Sequence, residues 1–173
     1  WVGCWQGQMF PFGEHINFSR LHEIWREYYK HFNLDFTEEP DYYLPEIDYS
    51  AFDLSRSIEF LSQQANKRNI LFCNGSANSG QSGVGDFKYS IGNLAAKYPD
   101  INFIVTNPTS LSAANIFYTR DIHAGLENDL NQISYLSRSC ELIVGKNSGP
   151  FSYCQNRENL MDPDRTFFNF SKL

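Results

Sequence analysis

The sequence contains 173 residues, of which 42% are hydrophobic and 16% are aromatic, and it carries a formal net charge of −6. This length predicts one sizeable domain with a buried core. The acidic balance argues against a nucleic-acid-binding surface, and no apolar run approaches the roughly 18 residues that a membrane-spanning helix needs.

The first third of the chain differs in character from the rest. It begins with Trp1 in an aromatic, glycine-rich opening that does not read as a signal peptide, so we expect the chain to derive from something longer. Apolar residues then recur at spacings of three and four, which predicts a helix over 18–32 that ends at Asn33. Residues 34–53 contain prolines, acidic residues and tyrosines and predict an extended connector that lies across a domain surface.

The remaining chain alternates between helical periodicity and short apolar runs. The predicted elements are, in order, helix 55–67, strand 69–73, helix 87–98, strand 101–106, strand 116–119, helix 129–138 capped by Asn128 or Asp129, strand 142–144, helix 151–160 and strand 166–170. This order is typical of an α/β fold with a Rossmann-like, doubly wound, mostly parallel sheet. The predicted organisation is therefore an N-terminal aromatic loop, helix and connector over 1–53, a possible remnant of a preceding domain, and a Rossmann-like domain over 54–173.

Two segments rich in glycine and serine follow predicted strands. The first is the polar loop 74–86, whose candidate ligand-binding residues are Gly75, Ser76, Ser79, Gly80, Gln81 and Ser82. The second is the segment 145–150, whose candidate binding residues are Gly145, Asn147, Ser148 and Gly149. Both segments leave the carboxyl ends of strands, where ligands bind in doubly wound sheets, so they can face one cleft.

The second segment has the chemistry of an anion site. Glycine lets a ligand approach the main chain, and the predicted helix N-terminus offers N–H groups and a favourable dipole, so phosphate or diphosphate is the natural ligand. A tight turn with Pro150 at the first helical position is the alternative. Lys146 can pair with a phosphate or be a solvated lysine. Thr106 and Asn107, at another strand end, can line a base or ribose or simply form a turn.

Several other kinds of site find no support in the sequence. The loop 74–86 lacks both GxGxxG and GxxxxGK[ST], which argues against NAD-type cofactors and ATP hydrolysis. No metal-ligand spacing and no GxSxG nucleophile motif occurs, so we expect neither a metal nor a cofactor. His15 is a candidate general base, although it can equally be an exposed loop histidine. The four cysteines are scattered, which favours a reducing, cytoplasmic location.

Four stretches carry a family resemblance: NILFCNGSANSGQS, INFIVTN, DLNQISYLS and ELIVGKNSGP. Together they resemble the C-terminal, nucleotide-sugar-binding half of a bacterial-type GT-B-fold glycosyltransferase, over roughly residues 40–173. The resemblance implies a nucleotide-sugar donor, bound as a substrate with its diphosphate at residues 145–150, and catalytic roles for Lys146 and His15. A GT-B enzyme also needs a second domain for its acceptor, so we expect a missing N-terminal domain or a homo-oligomer, and a chain that is incomplete as an enzyme.

Two other hypotheses stay open. A non-catalytic Rossmann-like module would bind protein or glycan through the aromatic surface between Trp1 and Tyr49, for which Trp1, Trp5, Tyr42 and Tyr43 are the test. A nucleotide-sugar epimerase would use the same cleft, because a fold alone does not fix the chemistry.

Overall fold

The computed structural model describes residues 29–33, 46–75, 87–127, 129–146 and 148–170. The chain divides into two compact units, Trp1–Tyr43 and Leu44–Leu173. In the smaller unit, residues 29–31 are helical, and the backbone of Asn33 turns left-handed at φ 52°. Its N–H donates to the Lys30 carbonyl at 3.2 Å. Asn33 therefore ends this helix, as its sequence predicts, because asparagine tolerates left-handed backbone better than most residues.

The larger unit alternates helices and strands along the chain. Its elements are a 3₁₀ turn at Tyr49–Ala51, α1 at Ser55–Gln63, β1 at Arg68–Cys73, α2 at Lys88–Lys97, β2 at Ile101–Val105, β3 at Ile116–Tyr118, α3 at Thr119–Ile122, α4 at Leu130–Ser137, β4 at Leu142–Gly145, α5 at Gly149–Cys154, α6 at Arg157–Met161 and β5 at Thr166–Asn169. No helix among the described residues is long and apolar enough to cross a membrane.

The five strands form one sheet in the order β3-β2-β1-β4-β5, and every neighbouring pair is parallel. Leu71 of β1 lies between Ile104 of β2 and Ile143 of β4, so the apolar runs sit at the centre of the sheet. The predicted doubly wound, Rossmann-like α/β fold is confirmed. The chain leaves β1 toward β2 on one side and returns to β4 on the other, which puts the reversal of strand order between β1 and β4.

The central strands β1, β2 and β4 are buried on both faces, and their alternate side chains point to opposite faces. One face, here the α2 face, packs against Ile91 and Ala95 of α2 and is built from Ile70, Phe72, Phe103, Val105 and Val144. The opposite face, here the α4 face, packs against α1, α4 and α5 and is built from Leu71, Cys73, Ile104 and Ile143. Burial on two faces explains why these strands read as continuous apolar runs.

One predicted element is wrong. Residues 151–160 do not form a single helix: α5 ends at Cys154 and a separate helix, α6, begins at Arg157. The break occurs because the side chain of Asn156 accepts a hydrogen bond from the Asn159 N–H at 3.1 Å and caps α6. The short helix α3 was also not predicted, and β3 ends at Tyr118, one residue before its predicted end.

Residues 46–53 pack on the larger unit as a strap across α4. The Tyr49 hydroxyl lies 2.9 Å from the Ser134 hydroxyl, and the Gln132 amide donates to the Asp53 carbonyl at 3.1 Å. The Arg138 guanidinium lies 5.2 Å from the centre of the Tyr49 ring. This part of the predicted connector therefore belongs with the larger unit, which begins at Leu44, ahead of the boundary predicted at residue 53.

Candidate functional site

The carboxyl ends of β1 and β4 lie side by side at the reversal of strand order. Cys73, the last residue of β1, pairs with Gly145, the last residue of β4. Gly75 and Lys146 therefore follow neighbouring strands at one edge of the sheet. The two glycine-rich segments thus start side by side, as the sequence predicts, at the point where each leaves its strand. In doubly wound sheets a crevice at this position is where ligands bind.

Hydrogen bonds of the Asn74 side chain join the carboxyl end of β1 to the carboxyl end of β2. Its side-chain oxygen accepts from the Asn107 backbone N–H at 2.7 Å and from the Thr106 hydroxyl at 3.2 Å. Its amide group donates to the Asn107 carbonyl at 3.0 Å. Thr106 is buried and engaged in this brace, whereas the Asn107 side chain is exposed. The sequence analysis did not single out Asn74 as a site residue. Its position directly after a buried strand could have marked it as a candidate.

Lys146 is buried directly after the carboxyl end of β4. Only 4% of its surface is exposed, and its ammonium group lies 5.6 Å from the centre of the Phe87 ring. A cation over an aromatic face is attracted by the ring's negative charge density. The sequence alternative of a solvated lysine is therefore wrong, because the residue is held inside the protein at the strand end.

Ser148 is buried at the start of α5, with 6% of its surface exposed. It occupies the N-cap position, yet its hydroxyl makes no hydrogen bond within the described part of the chain. Its backbone carbonyl instead accepts from the Ser152 N–H at 2.9 Å. A buried hydroxyl without a partner is costly, so a bound polar group would relieve an unfavourable state here.

The glycines at this edge differ in how much space a side chain would have. A Cβ atom at position 145 would overlap the Phe151 ring and lie 2.9 Å from the Cys73 Cβ, so Gly145 is required by packing. A Cβ atom at position 75 would lie 3.2 Å from the Asn107 amide nitrogen. At position 149 the nearest atom, Leu130 Cδ2, is 3.7 Å away, and the residue is exposed. Gly149 therefore leaves space beside Ser148 that a ligand can use.

Several predicted site residues lie outside the described part of the chain: His15, Ser76, Ser79, Gly80, Gln81, Ser82 and Asn147. Their roles stay predictions. The same holds for Trp1, Trp5, Tyr42 and Tyr43, on which the interaction-module hypothesis depends. Within the described ranges, no group of three or more histidine, cysteine and acidic residues is placed to hold a metal ion.

A second polar cluster lies on the α4 face and was not predicted. His123 Nε2 lies 3.1 Å from the Ser57 hydroxyl, and His123 Nδ1 lies 2.9 Å from an Asp129 carboxylate oxygen. This connectivity is that of a serine hydrolase triad. Ser57 is, however, fully buried, so no substrate can reach its oxygen. The cluster joins α1 to the segment before α4, and the Asp129 carboxylate, expected as a helix cap, makes no capping hydrogen bond.

The cysteines near the site are free thiols in the core. Cys73, Cys140 and Cys154 are buried and are not joined in disulfides. A hydrogen bond with the Cys154 side chain, together with burial, raises the pKa of the Cys73 thiol well above its usual range. Burial also raises the pKa of Cys140. Cys73 and Cys140 are therefore packing groups rather than nucleophiles, because the reactive species is the thiolate.

Comparison with solved structures finds a likeness in fold. No protein-family model matches the sequence, and no curated protein matches it. Among solved structures, the chain is similar to E. coli ADP-heptose LPS heptosyltransferase II, with a TM-score of 0.51 and 16% sequence identity. The match covers 78% of this chain and 41% of that chain, so the present chain spans less than half of its relative. At the level of fold, the likeness confirms the resemblance to one half of a GT-B-fold glycosyltransferase.

Proposed function

We propose that the larger unit is the nucleotide-sugar-binding part of a glycosyltransferase, with the donor diphosphate at the segment 145–150. The observation that carries this proposal is the meeting of the two glycine-rich segments at the ends of β1 and β4, beside a buried lysine. The fold of the heptosyltransferase supports the same class of substrate, because ADP-heptose, which that enzyme is named for, is a nucleotide-linked sugar. The neighbour alone does not carry the chemistry, since one fold serves many functions.

The proposed chemistry is stabilisation of a leaving group. When the bond between the sugar and the diphosphate breaks, negative charge grows on the nucleotide diphosphate. The Lys146 ammonium and the Ser148 hydroxyl would bind that charge from fixed positions, which lowers the barrier without a metal ion. Because α5 has only six residues, fewer peptide dipoles align toward its N-terminus than in a long helix. The proposal therefore depends on the lysine and the serine more than on the helix.

The acceptor side of the reaction is not formed by these residues. His15 remains the proposed general base, and a second domain or a second copy would supply the acceptor site. We accordingly expect this chain to bind a donor and to transfer sugar weakly or not at all by itself. A cytoplasmic location is part of the proposal, since the buried cysteines are free thiols.

A ligand screen tests the proposal. The folded protein is titrated with UDP, GDP, CMP, ADP and their common sugar conjugates by thermal shift and by calorimetry. A ligand that binds the native state raises the melting temperature by mass action, by an amount that grows with concentration. Selective stabilisation by one nucleoside diphosphate and its sugar conjugate is the expected result. A protein whose melting temperature does not respond to any member of the panel would contradict the proposal.

A further inference from the structure

Two phenylalanines stand exposed at one edge of the sheet. Phe168 of β5 and Phe170, directly after it, are 52% and 48% exposed, and their ring centres lie 4.6 Å apart. The Phe170 ring also contacts Phe87, with 5.0 Å between centres. We call these three rings the aromatic ledge. Adjacent exposed aromatic rings on a folded domain mark a binding surface more often than a single exposed apolar residue does.

The ledge is open because of the sheet's topology. Phe168 pairs with Val144 of β4 and so belongs to the α2 face, whereas its neighbour Phe167 points to the α4 face and packs on Phe151 at 5.9 Å. The connection from β4 to β5 runs over the α4 face, where Phe151 of α5 is buried, and Ile91 and Ala95 of α2 pack in the cluster formed by β1, β2 and β4. No described helix covers the α2 face at β5.

The ledge adjoins the proposed diphosphate site. The Phe170 N–H donates to the Gly145 carbonyl at 2.8 Å, which places its ring beside the end of β4. Phe87, in the middle of the chain of contacts, touches Phe170 on one side and the Lys146 ammonium on the other. A ligand held near Lys146 therefore has an apolar, planar surface within reach.

We propose that the aromatic ledge stacks the planar base of the nucleotide whose diphosphate lies at Lys146 and Ser148. This inference rests on the proposed function and assigns the base a position. A nucleotide combines an anionic diphosphate with a flat base, and this edge of the sheet presents a cation beside flat aromatic rings. Aromatic side chains bind bases by stacking, and this contact is tolerant of base identity because every base has a π face.

Phenylalanine offers no hydrogen-bonding group, so the ledge contributes affinity rather than selection among bases. Any preference found in the nucleotide screen must then come from other residues. The ledge should matter for every nucleoside diphosphate that binds, and it should not matter for inorganic pyrophosphate, which has no base to stack.

The test compares nucleotide with pyrophosphate in single variants. The Kd of the nucleoside diphosphate selected by the wild-type protein, and the Kd of inorganic pyrophosphate, are measured by calorimetry for Phe168→Ala and Phe170→Ala. We expect the nucleotide Kd to rise about tenfold and the pyrophosphate Kd to stay the same. Tyr89→Ala is the matched control, because Tyr89 is 79% exposed on α2 and takes no part in the ledge. It should leave both constants unchanged.

A leucine series separates stacking from simple apolar contact. Phe170→Leu keeps an apolar side chain without a planar ring, so nucleotide affinity should remain reduced. Full nucleotide affinity in Phe170→Leu would overturn the proposal. A wild-type dimer that dissociates when Phe168 or Phe170 is replaced would also overturn it, because the ledge would then be a contact between two copies of the chain. Nucleotide binding that is equal in wild type and both alanine variants overturns the ledge and leaves the proposed function intact. A wild-type protein that binds no nucleotide overturns the proposed function and the ledge together.

Discussion

Gly145 and Phe151 are in such close contact that no side chain fits between them: a Cβ atom on residue 145 would overlap the Phe151 ring. The Cys73 Cβ lies on another side of the same position, at 2.9 Å. The end of β4, the end of β1 and the first turn of α5 thus pack against one another around a glycine. This contact fixes the position from which Lys146 and Ser148 extend.

Gly145→Ala should therefore destabilise the protein. Phe151 and Cys73 are fully buried and cannot move away without disturbing the core, so the added methyl group overpacks it at a cost of about 1–3 kcal/mol. The free energy of unfolding, measured by guanidinium denaturation, should fall by this amount.

Gly149→Ala is the matched control for that substitution. Its Cβ would lie 3.7 Å from Leu130, an ordinary van der Waals distance, so stability should not decrease. A Gly145→Ala protein as stable as the wild type would contradict the tight contact between Gly145 and Phe151.

Gly149→Asp should abolish binding of the nucleoside diphosphate. The residue is exposed beside the buried Ser148, so a carboxylate there would face the phosphate groups. Two unit charges 4 Å apart repel by about 4 kcal/mol at an effective dielectric constant of 20, which corresponds to a loss of affinity of roughly a thousandfold. The Kd is measured by calorimetry.

Gly149→Asn provides the neutral, nearly isosteric comparison. It should weaken binding far less than the aspartate does, while both variants melt at similar temperatures without ligand. Equal affinity in the Asp variant and the wild type would place the diphosphate elsewhere.

The sequence predicted the sheet well because each central strand is an apolar run buried on two faces, as Ile70–Cys73 and Phe103–Val105 show. It also predicted that two glycine-rich segments share one edge, since that follows from parallel topology alone. The break at Asn156 was not readable, because periodicity over 151–160 is helical and only the capping contact with Asn159 interrupts it.

The burial of individual site residues could likewise not be predicted from the sequence. Lys146 and Ser148 could each be exposed or buried in a glycine-rich segment, and only packing against Phe87 and α5 decides between the two. The contact between Ser57 and His123 joins residues far apart in the chain, so no local sequence pattern predicts it.

Asp129→Ala should cost about 1–3 kcal/mol of folding stability. The substitution leaves the buried Nδ1–H of His123 without its acceptor, and an unsatisfied buried donor carries its full desolvation penalty. Asp129→Asn retains a side-chain oxygen that can accept the hydrogen bond and should cost less. Unfolding by urea compares the two. A similar loss in both variants would mean that the negative charge, rather than the hydrogen bond, stabilises the cluster.

Ser57 should be unreactive toward serine-directed fluorophosphonates despite its contact with His123. Its side chain is fully buried in α1, so the reagent cannot reach the hydroxyl oxygen in the folded protein. Intact-mass spectrometry after incubation should show no adduct, with a known serine hydrolase as the positive control. Labelling of Ser57 in the wild type, absent in Ser57→Ala, would show that α1 opens and that the cluster can act as a triad.

The buried thiols should make the protein less stable at alkaline pH. Burial and the contact with Cys154 raise the pKa of Cys73, and burial raises that of Cys140, so both stay protonated in the folded state. In the unfolded chain a thiol ionises with a pKa near 8.5, and ionisation then favours unfolding. The stability that these thiols confer is thus present below about pH 8.5 and declines above it, by about 1.4 kcal/mol per thiol at pH 9.5. Guanidinium denaturation at pH 7.5 and 9.5 measures the decline.

Cys140→Ala should show a smaller decline than the wild type, because it lacks one of the two thiols. An identical decline in the two proteins would assign the pH dependence to other groups.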